Sequence, residues 1–175
     1  QETIDFYEKM AQSYPQIQLK KYGISDVGEP IHAVMISKNG EFDPSKIKKE
    51  GKLVLMVNNA IHPGEPCGVD ASMLLVKKLV QKPDYQKFLD ETVLVIIPFY
   101  NIGGGLNRGA FSRTNQVGPL EHGFRGNAKN LDLNRDFIKV DSKNAIAFTR
   151  IFQAWKPDVF LDNHTSNGAD YQYTM

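Results

Sequence analysis

Val54-Leu-Met-Val-Asn-Asn-Ala-Ile-His-Pro-Gly-Glu65 carries a strand signal and a pair of candidate ligands in one segment. The apolar run from Leu53 to Val57 reads as a buried strand, and Pro63-Gly64 breaks it with His62 and Glu65 on either side. An imidazole and a carboxylate spaced i and i+3 around a tight turn can converge on one cation, and their donor atoms suit zinc. On this segment alone, a polar turn after a core strand, with Glu65 opening the next helix, accounts for the same residues.

Beyond the turn, Val69, Met73, Val76 and Val80 share a helical face, so a helix is expected from Pro66 to Gln81. Thr92 to Pro98 holds the continuous apolar run Val93-Leu-Val-Ile-Ile97, the pattern of a central strand covered on both faces. Strand, helix, strand is the βαβ unit of an α/β fold. Asp158 to Asp162 reads as a third buried strand, and His164 follows its end as His62 follows the first. Ser142 caps a helix that reaches Trp155, where Lys156-Pro157 stops it.

Upstream, Ile4, Tyr7, Met10 and Ala11 predict a surface helix over Thr3–Ser13. Alternating segments Ile17–Tyr22 and Ile31–Ser37 predict an antiparallel pair at a sheet edge, with His32 exposed on the polar side. Lys38–Lys52 reads as a solvated connection. The expected fold is a mixed, mainly parallel sheet with helices on both faces, and in such sheets sites form at the carboxyl ends of the strands.

Between Phe99 and Asn130 lies a long glycine-rich region of the kind that is usually functional. Arg108, Arg113 and Arg125 fall in it as candidates for binding an anion, with Arg108 and Arg113 read as solvated surface residues. In Leu131–Phe137, alternation puts Asp132, Asn134 and Asp136 on one side.

A chain of 175 residues, 41% apolar, can bury one real core and predicts one domain. With 21 basic and 20 acidic residues and no basic block, nucleic acid is not an expected partner. The single cysteine, Cys67, allows no internal disulfide and reads as a small buried hydrophobe. There is no run of about 18 apolar residues that would span a membrane. The opening Gln1-Glu2 resembles a processed terminus, which favours a periplasmic or extracellular location.

Taken in order, His62-x-x-Glu65, Arg125-Gly-Asn-Ala-Lys-Asn-Leu-Asp-Leu-Asn134-Arg135 and Asp162-Asn-His164 resemble the zinc carboxypeptidase family, the M14 metallocarboxypeptidases. The likeness runs through essentially the whole chain, including Gly28-Glu-Pro-Ile31 between the first two strands. It implies that residues 1–175 are the N-terminal portion of one zinc carboxypeptidase-like catalytic domain, with the sheet incomplete at its C-terminal side. His62, Glu65 and His164 would bind one Zn²⁺ and leave a fourth position open, an arrangement that general accounts of zinc sites illustrate with carboxypeptidase A. Asp132 would orient the first histidine. Arg125 would polarise the scissile carbonyl, and Asn134 with Arg135 would receive the free C-terminal carboxylate of a peptide substrate.

Two departures stand out against the family pattern. Asn101-Ile-Gly-Gly104 replaces an Asn-Pro-Asp-Gly turn, and no carboxylate up to Met175 matches the late glutamate that serves the family as general base. The resemblance therefore implies a chain that is nearly inactive as it stands, since a general base contributes about 10²–10⁴-fold in rate. An incomplete sheet also predicts self-association through its last edge. The competing readings are a zinc amidohydrolase of the desuccinylase or deacylase type, and a carboxylate-binding domain without catalysis.

Overall fold

The computed structural model describes residues 1–113 and 119–165. The strand expected at Leu53–Val57 is β3 (Leu53–Asn58), and it lies between β4 (Thr92–Ile97) and β7 (Val159–Asp162), parallel to both. On the far side of β4 come β2 (Pro30–Ile36) and then β1 (Ile17–Ile24), both joined antiparallel, so the order is β1-β2-β4-β3-β7. The sheet is mixed, as expected. Its two parallel pairings are those that carry the strand ends near His62 and His164.

Alternation along each strand sends side chains to two separate cores. Val54 and Met56 of β3, with Val93, Val95 and Ile97 of β4, pack under α6 (Lys143–Trp155) against Phe148, Ile151 and Trp155. Val57, Leu94 and Ile96 point the other way, toward Tyr7 and Met10 of α1 (Glu2–Ser13) and Val76, Leu79 and Val80 of α3 (Cys67–Gln81). After α3 the chain passes through α4 (Pro83–Gln86) to reach β4. A continuous apolar run such as Val93–Ile97 needs cover on both faces, and it receives it.

Several segments depart from the sequence reading. The Lys-rich connection holds α2 (Pro44–Lys49), whose N-terminal Ser45 N–H donates to Asp43 at 2.8 Å and whose Ile47 is fully buried. One apolar residue among lysines leaves no periodic trace. Within the glycine-rich region, Asn101 caps α5 (Ile102–Leu106), and β5 (Arg108–Gly109) pairs with β6 (His122–Gly123) in a two-residue ribbon. Leu131–Phe137 is a loop with a 3₁₀ turn at Leu133–Arg135, so Asp132, Asn134 and Asp136 do not share a face. Asp132 turns toward His62, and Asp136 accepts hydrogen bonds from the backbone of Asp141 and Ser142.

Cys67 is exposed rather than buried, because the first turn of α3 presents it to solvent. His32 is half-buried, not exposed, with its Nδ1 enclosed and lacking a hydrogen-bond partner among the described residues. The third strand is not buried either, since among the described residues β7 is an outer strand of the sheet and Val159, Phe160 and Leu161 remain 55%, 38% and 49% exposed. Among the described residues no helix is long and apolar enough to cross a membrane.

Candidate metal centre

β3 ends at Asn58, and the chain then turns through Ala60, whose φ of +55° is unusual for a residue with a side chain. Backbone hydrogen bonds hold this turn, from Tyr100 N–H to Asn59 O and from Asn101 N–H to Ala60 O. The Asn101 amide also donates to Ile61 O and Arg125 O, at 3.2 and 3.0 Å. Asn101 thereby joins the segment before His62 to the loop bearing Arg125. The changed Asn101–Gly104 turn has a structural use at this site.

His62 and Glu65 are 2% and 4% exposed, and His164 reaches them from beyond β7. The His62 Nδ1 lies 3.3 Å from one Glu65 oxygen, and the His164 Nδ1 lies 3.2 Å from the other. One ligand atom from each of the three residues fits within 4.8 Å of the other two. The second nitrogen of each ring faces a carboxylate: His62 Nε2 is 3.2 Å from Asp132, and His164 Nε2 is 3.1 Å from Asp162. Two imidazoles and one carboxylate, with a nitrogen of each ring and the carboxylate oxygens brought together and the rings held from behind, fit Zn²⁺ with an open fourth position.

The electrostatics accord with a charge-dense pocket. Burial works to raise the Glu65 pKa, but hydrogen bonds from His62 and the Thr165 N–H and the charges of His62 and Arg113 outweigh it and hold it at about 2. For Asp132, burial is again outweighed, by hydrogen bonds from His62, the Asn134 N–H and Arg125, and the pKa is lowered. Asp162 goes the other way. Burial raises it despite His164 and Asn58.

Two arginines border the cluster. Arg125 is paired with Asp132 through Nε and Nη2, both at 3.0 Å, and its Nη1 lies 3.5 Å from His62 Nδ1. Arg113, read from sequence as a solvated surface residue, has its side chain only 6% exposed and lies 2.8 Å from Glu65. Its Cγ and Cδ occupy the space where residue 64 would otherwise carry a Cβ, at 2.6 and 2.7 Å, so only glycine admits it there. Arg108 stays outside, donating to Glu121 O. Asn134 and Arg135 follow Asp132 in the 3₁₀ turn, and the exposed Arg135 guanidinium has no carboxylate partner among the described residues.

Sequence reasoning missed Arg113 and Asp162. Asp162 did leave a signal, because i and i+2 on an extended segment fall on one side, which puts it beside His164. Arg113 left none, since its loop has no periodicity from which a direction could be read.

A comparison with protein-family models matches residues 3–167 to the zinc carboxypeptidases, peptidase family M14. The chain belongs to the zinc carboxypeptidase family. No curated protein matches it. Among solved structures, this family member is similar to a metallo-carboxypeptidase from Burkholderia cenocepacia, with 20% identity and a TM-score of 0.74 over 94% of this chain and 40% of that one. A metallo-carboxypeptidase from Pseudomonas aeruginosa gives 20% identity and 0.70 over 93% and 39%. Carboxypeptidase A from Helicoverpa armigera gives 19% and 0.68 over 91% and 44%. At these identities the likeness establishes the zinc carboxypeptidase-like fold. The chain thus spans about two fifths of the length of the solved structures it matches.

Proposed function

We propose that the protein is a zinc-dependent carboxypeptidase that hydrolyses C-terminal peptide bonds, with His62, Glu65 and His164 holding one zinc ion per chain. The observation that carries this reading is the convergence of His164 on Glu65 across 99 residues of sequence, in a cluster that brings one candidate ligand atom from each of three residues within 4.8 Å of the others. When bound, zinc supplies a Lewis acid that lowers the pKa of coordinated water and polarises a carbonyl. The protein's part is to bind and orient the substrate around that centre.

Asn134 and Arg135 receive the substrate's terminal carboxylate in this reading, the planar guanidinium offering two parallel hydrogen bonds. The Pseudomonas aeruginosa relative was solved in complex with (2-guanidinoethylmercapto)succinic acid, a ligand with free carboxylates, which supports an anion-receiving cleft. Stabilising the oxyanion belongs to the arginines beside the ligands. Arg125 already shares its charge with Asp132, whereas Arg113 is buried against Glu65, so both take part in the proposal. Each fixed cation contributes about 3–4 kcal/mol if it is aimed at developing charge.

Proton transfer is the weak step in residues 1–175 taken alone. The carboxylates within the described cluster are engaged, Glu65 as ligand and Asp132 and Asp162 against the imidazoles. Slow turnover is the expectation for this chain by itself, and an exported location goes with the peptidase role.

Elemental analysis of the purified protein with His62→Ala and His164→Ala beside it tests the centre. About one zinc per chain, lost in both variants, is expected; no zinc after incubation with excess metal would overturn the reading. Assaying C-terminal dipeptides beside N-acyl amino acids then separates a carboxypeptidase from a deacylase.

A further inference from the structure

We propose that Asp26, in the turn between β1 and β2, is a positioning residue for Arg125, a role that rests on the zinc carboxypeptidase reading above. Arg125 and Asp132 stand at the two ends of a loop and pair with each other, at 3.0 Å through both Nε and Nη2. The Arg125 side chain is 44% exposed, so packing does little to hold it. Its direction depends on how the loop between the two residues is anchored.

Asn127 ties that loop together. Its Oδ1 accepts from the N–H groups of Lys129 and Leu131, at 2.9 and 3.0 Å, and its own backbone N–H donates to Leu131 O. Its Nδ2 points out of the loop and donates to Asp26 Oδ2 at 2.9 Å, across 101 residues of sequence. Backbone N–H groups on one side and a carboxylate on the other leave the amide a single orientation. The Asp26 side chain is 1% exposed, and a carboxylate so enclosed needs partners. Besides Asn127, Oδ2 accepts from the Lys143 N–H at the start of α6, at 3.2 Å. Oδ1 has no hydrogen bond among the described residues, and Lys129 Nζ, 3.1 Å away, supplies its counter-charge. Asp26 therefore draws the loop onto the head of α6.

Asp26 is itself fixed. Buried Ser25 donates from its N–H and its hydroxyl to Glu29 O, at 2.7 and 2.9 Å, and the Asp26 N–H donates to Asn144 Oδ1 at 3.1 Å. Gly103 of α5 lies against both parts of the joint, since a Cβ there would meet Ala128 N at 2.8 Å and Val27 Cγ1 at 3.3 Å. The Arg125 carbonyl, for its part, accepts from Asn101. Asn101 and Asp26 thus hold the backbone at Arg125 and just beyond it.

¹⁵N spectra of the zinc-free protein test this through the Arg125 Nε–H signal, identified by its absence in Arg125→Lys. Native-state chemical shifts do not respond to a loss of stability alone, and the single indole N–H, that of Trp155, serves as the control. Asp26→Ala should move the Arg125 signal toward those of solvated arginines and leave the Trp155 signal in place. In the zinc-loaded protein it should lower kcat on a C-terminal dipeptide by about 10–100-fold with zinc content unaltered. An unmoved Arg125 signal overturns the inference while the metal centre stands. So does a kcat that is unchanged, or that falls only in step with zinc content. A parent that binds zinc but cleaves no dipeptide overturns the carboxypeptidase reading, and the Arg125 signal then decides the role of Asp26 by itself. Should Asp26→Ala fail to fold, Asn127→Ala removes the other end of the same hydrogen bond, and an unmoved Arg125 signal there overturns the inference.

Discussion

His32 shows how a residue far from the cluster acquires a pH signature. Burial lowers its pKa below 6.5, Glu8 opposes that and Lys21 adds to it. Above about pH 6.5 the ring is neutral in both folded and unfolded chains and contributes nothing. As pH falls below that value, the unfolded chain takes up the proton first, so stability is lost until the folded ring also protonates. His32→Gln should therefore lose less melting temperature than the parent between pH 7.5 and 5.5. Parallel losses in the two proteins would refute the assignment. At the same scale, Arg113 and Arg125 are chemically alike but differently committed, one buried against Glu65 and one sharing Asp132. Their burial distinguishes them, and nothing in the residue type does.

Helix ends and helix starts set two opposite expectations for glycine. Lys156 ends α6 in the left-handed region, φ +44°, with its N–H donated to Phe152 O. A side chain there costs about 1–2 kcal/mol, while glycine costs about 0.5–1 kcal/mol in chain entropy. Lys156→Gly should thus stabilise the protein by up to about 1 kcal/mol, read as a higher urea midpoint. The backbone carbonyl that accepts from Lys48 survives the change. Gly68, in the first turn of α3, should respond in the opposite sense. Alanine ordinarily gains about 1 kcal/mol over glycine in a helix, but a Cβ here would lie 2.5 Å from Asn163 Cβ and 2.7 Å from Asn59 Oδ1. Asn163 donates to Asn59 and directly precedes His164. Gly68→Ala should cost about 1–3 kcal/mol and weaken zinc retention, and a stabilised variant with unchanged zinc content would contradict this packing.

At the scale of the whole sheet, β7 is an outer strand with exposed apolar residues among the described residues. Its exposed Val159, Phe160 and Leu161 lie beside an aromatic group in which Phe160 is 5.6 Å from Phe148 and 6.1 Å from Phe152, centroid to centroid. An apolar edge strand of this kind invites pairing with another strand. For residues 1–175 alone the expected occupant is a second copy, joined edge to edge about a two-fold axis. Sedimentation should show concentration-dependent association that Leu161→Lys abolishes. A parent chain that stays monomeric at high concentration would rule this out.

The periodic segments could be read from sequence because hydrophobic alternation and helical spacing are local consequences of burial. That is why β3, β4, α3 and α6 are found close to where the apolar patterns place them. The pair His62 and Glu65 could be singled out by type and spacing, whereas Asp132 and His164 could be singled out only because their order along the chain resembles the zinc carboxypeptidase pattern. Tertiary structure alone decided which nitrogen of each imidazole faces Glu65, that Arg113 comes inside, that Asn101 ties two site segments together, and that Ile47 enters the core. Those outcomes depend on where the strand ends and loops meet in space, and contacts between residues far apart in sequence leave no periodic trace along it.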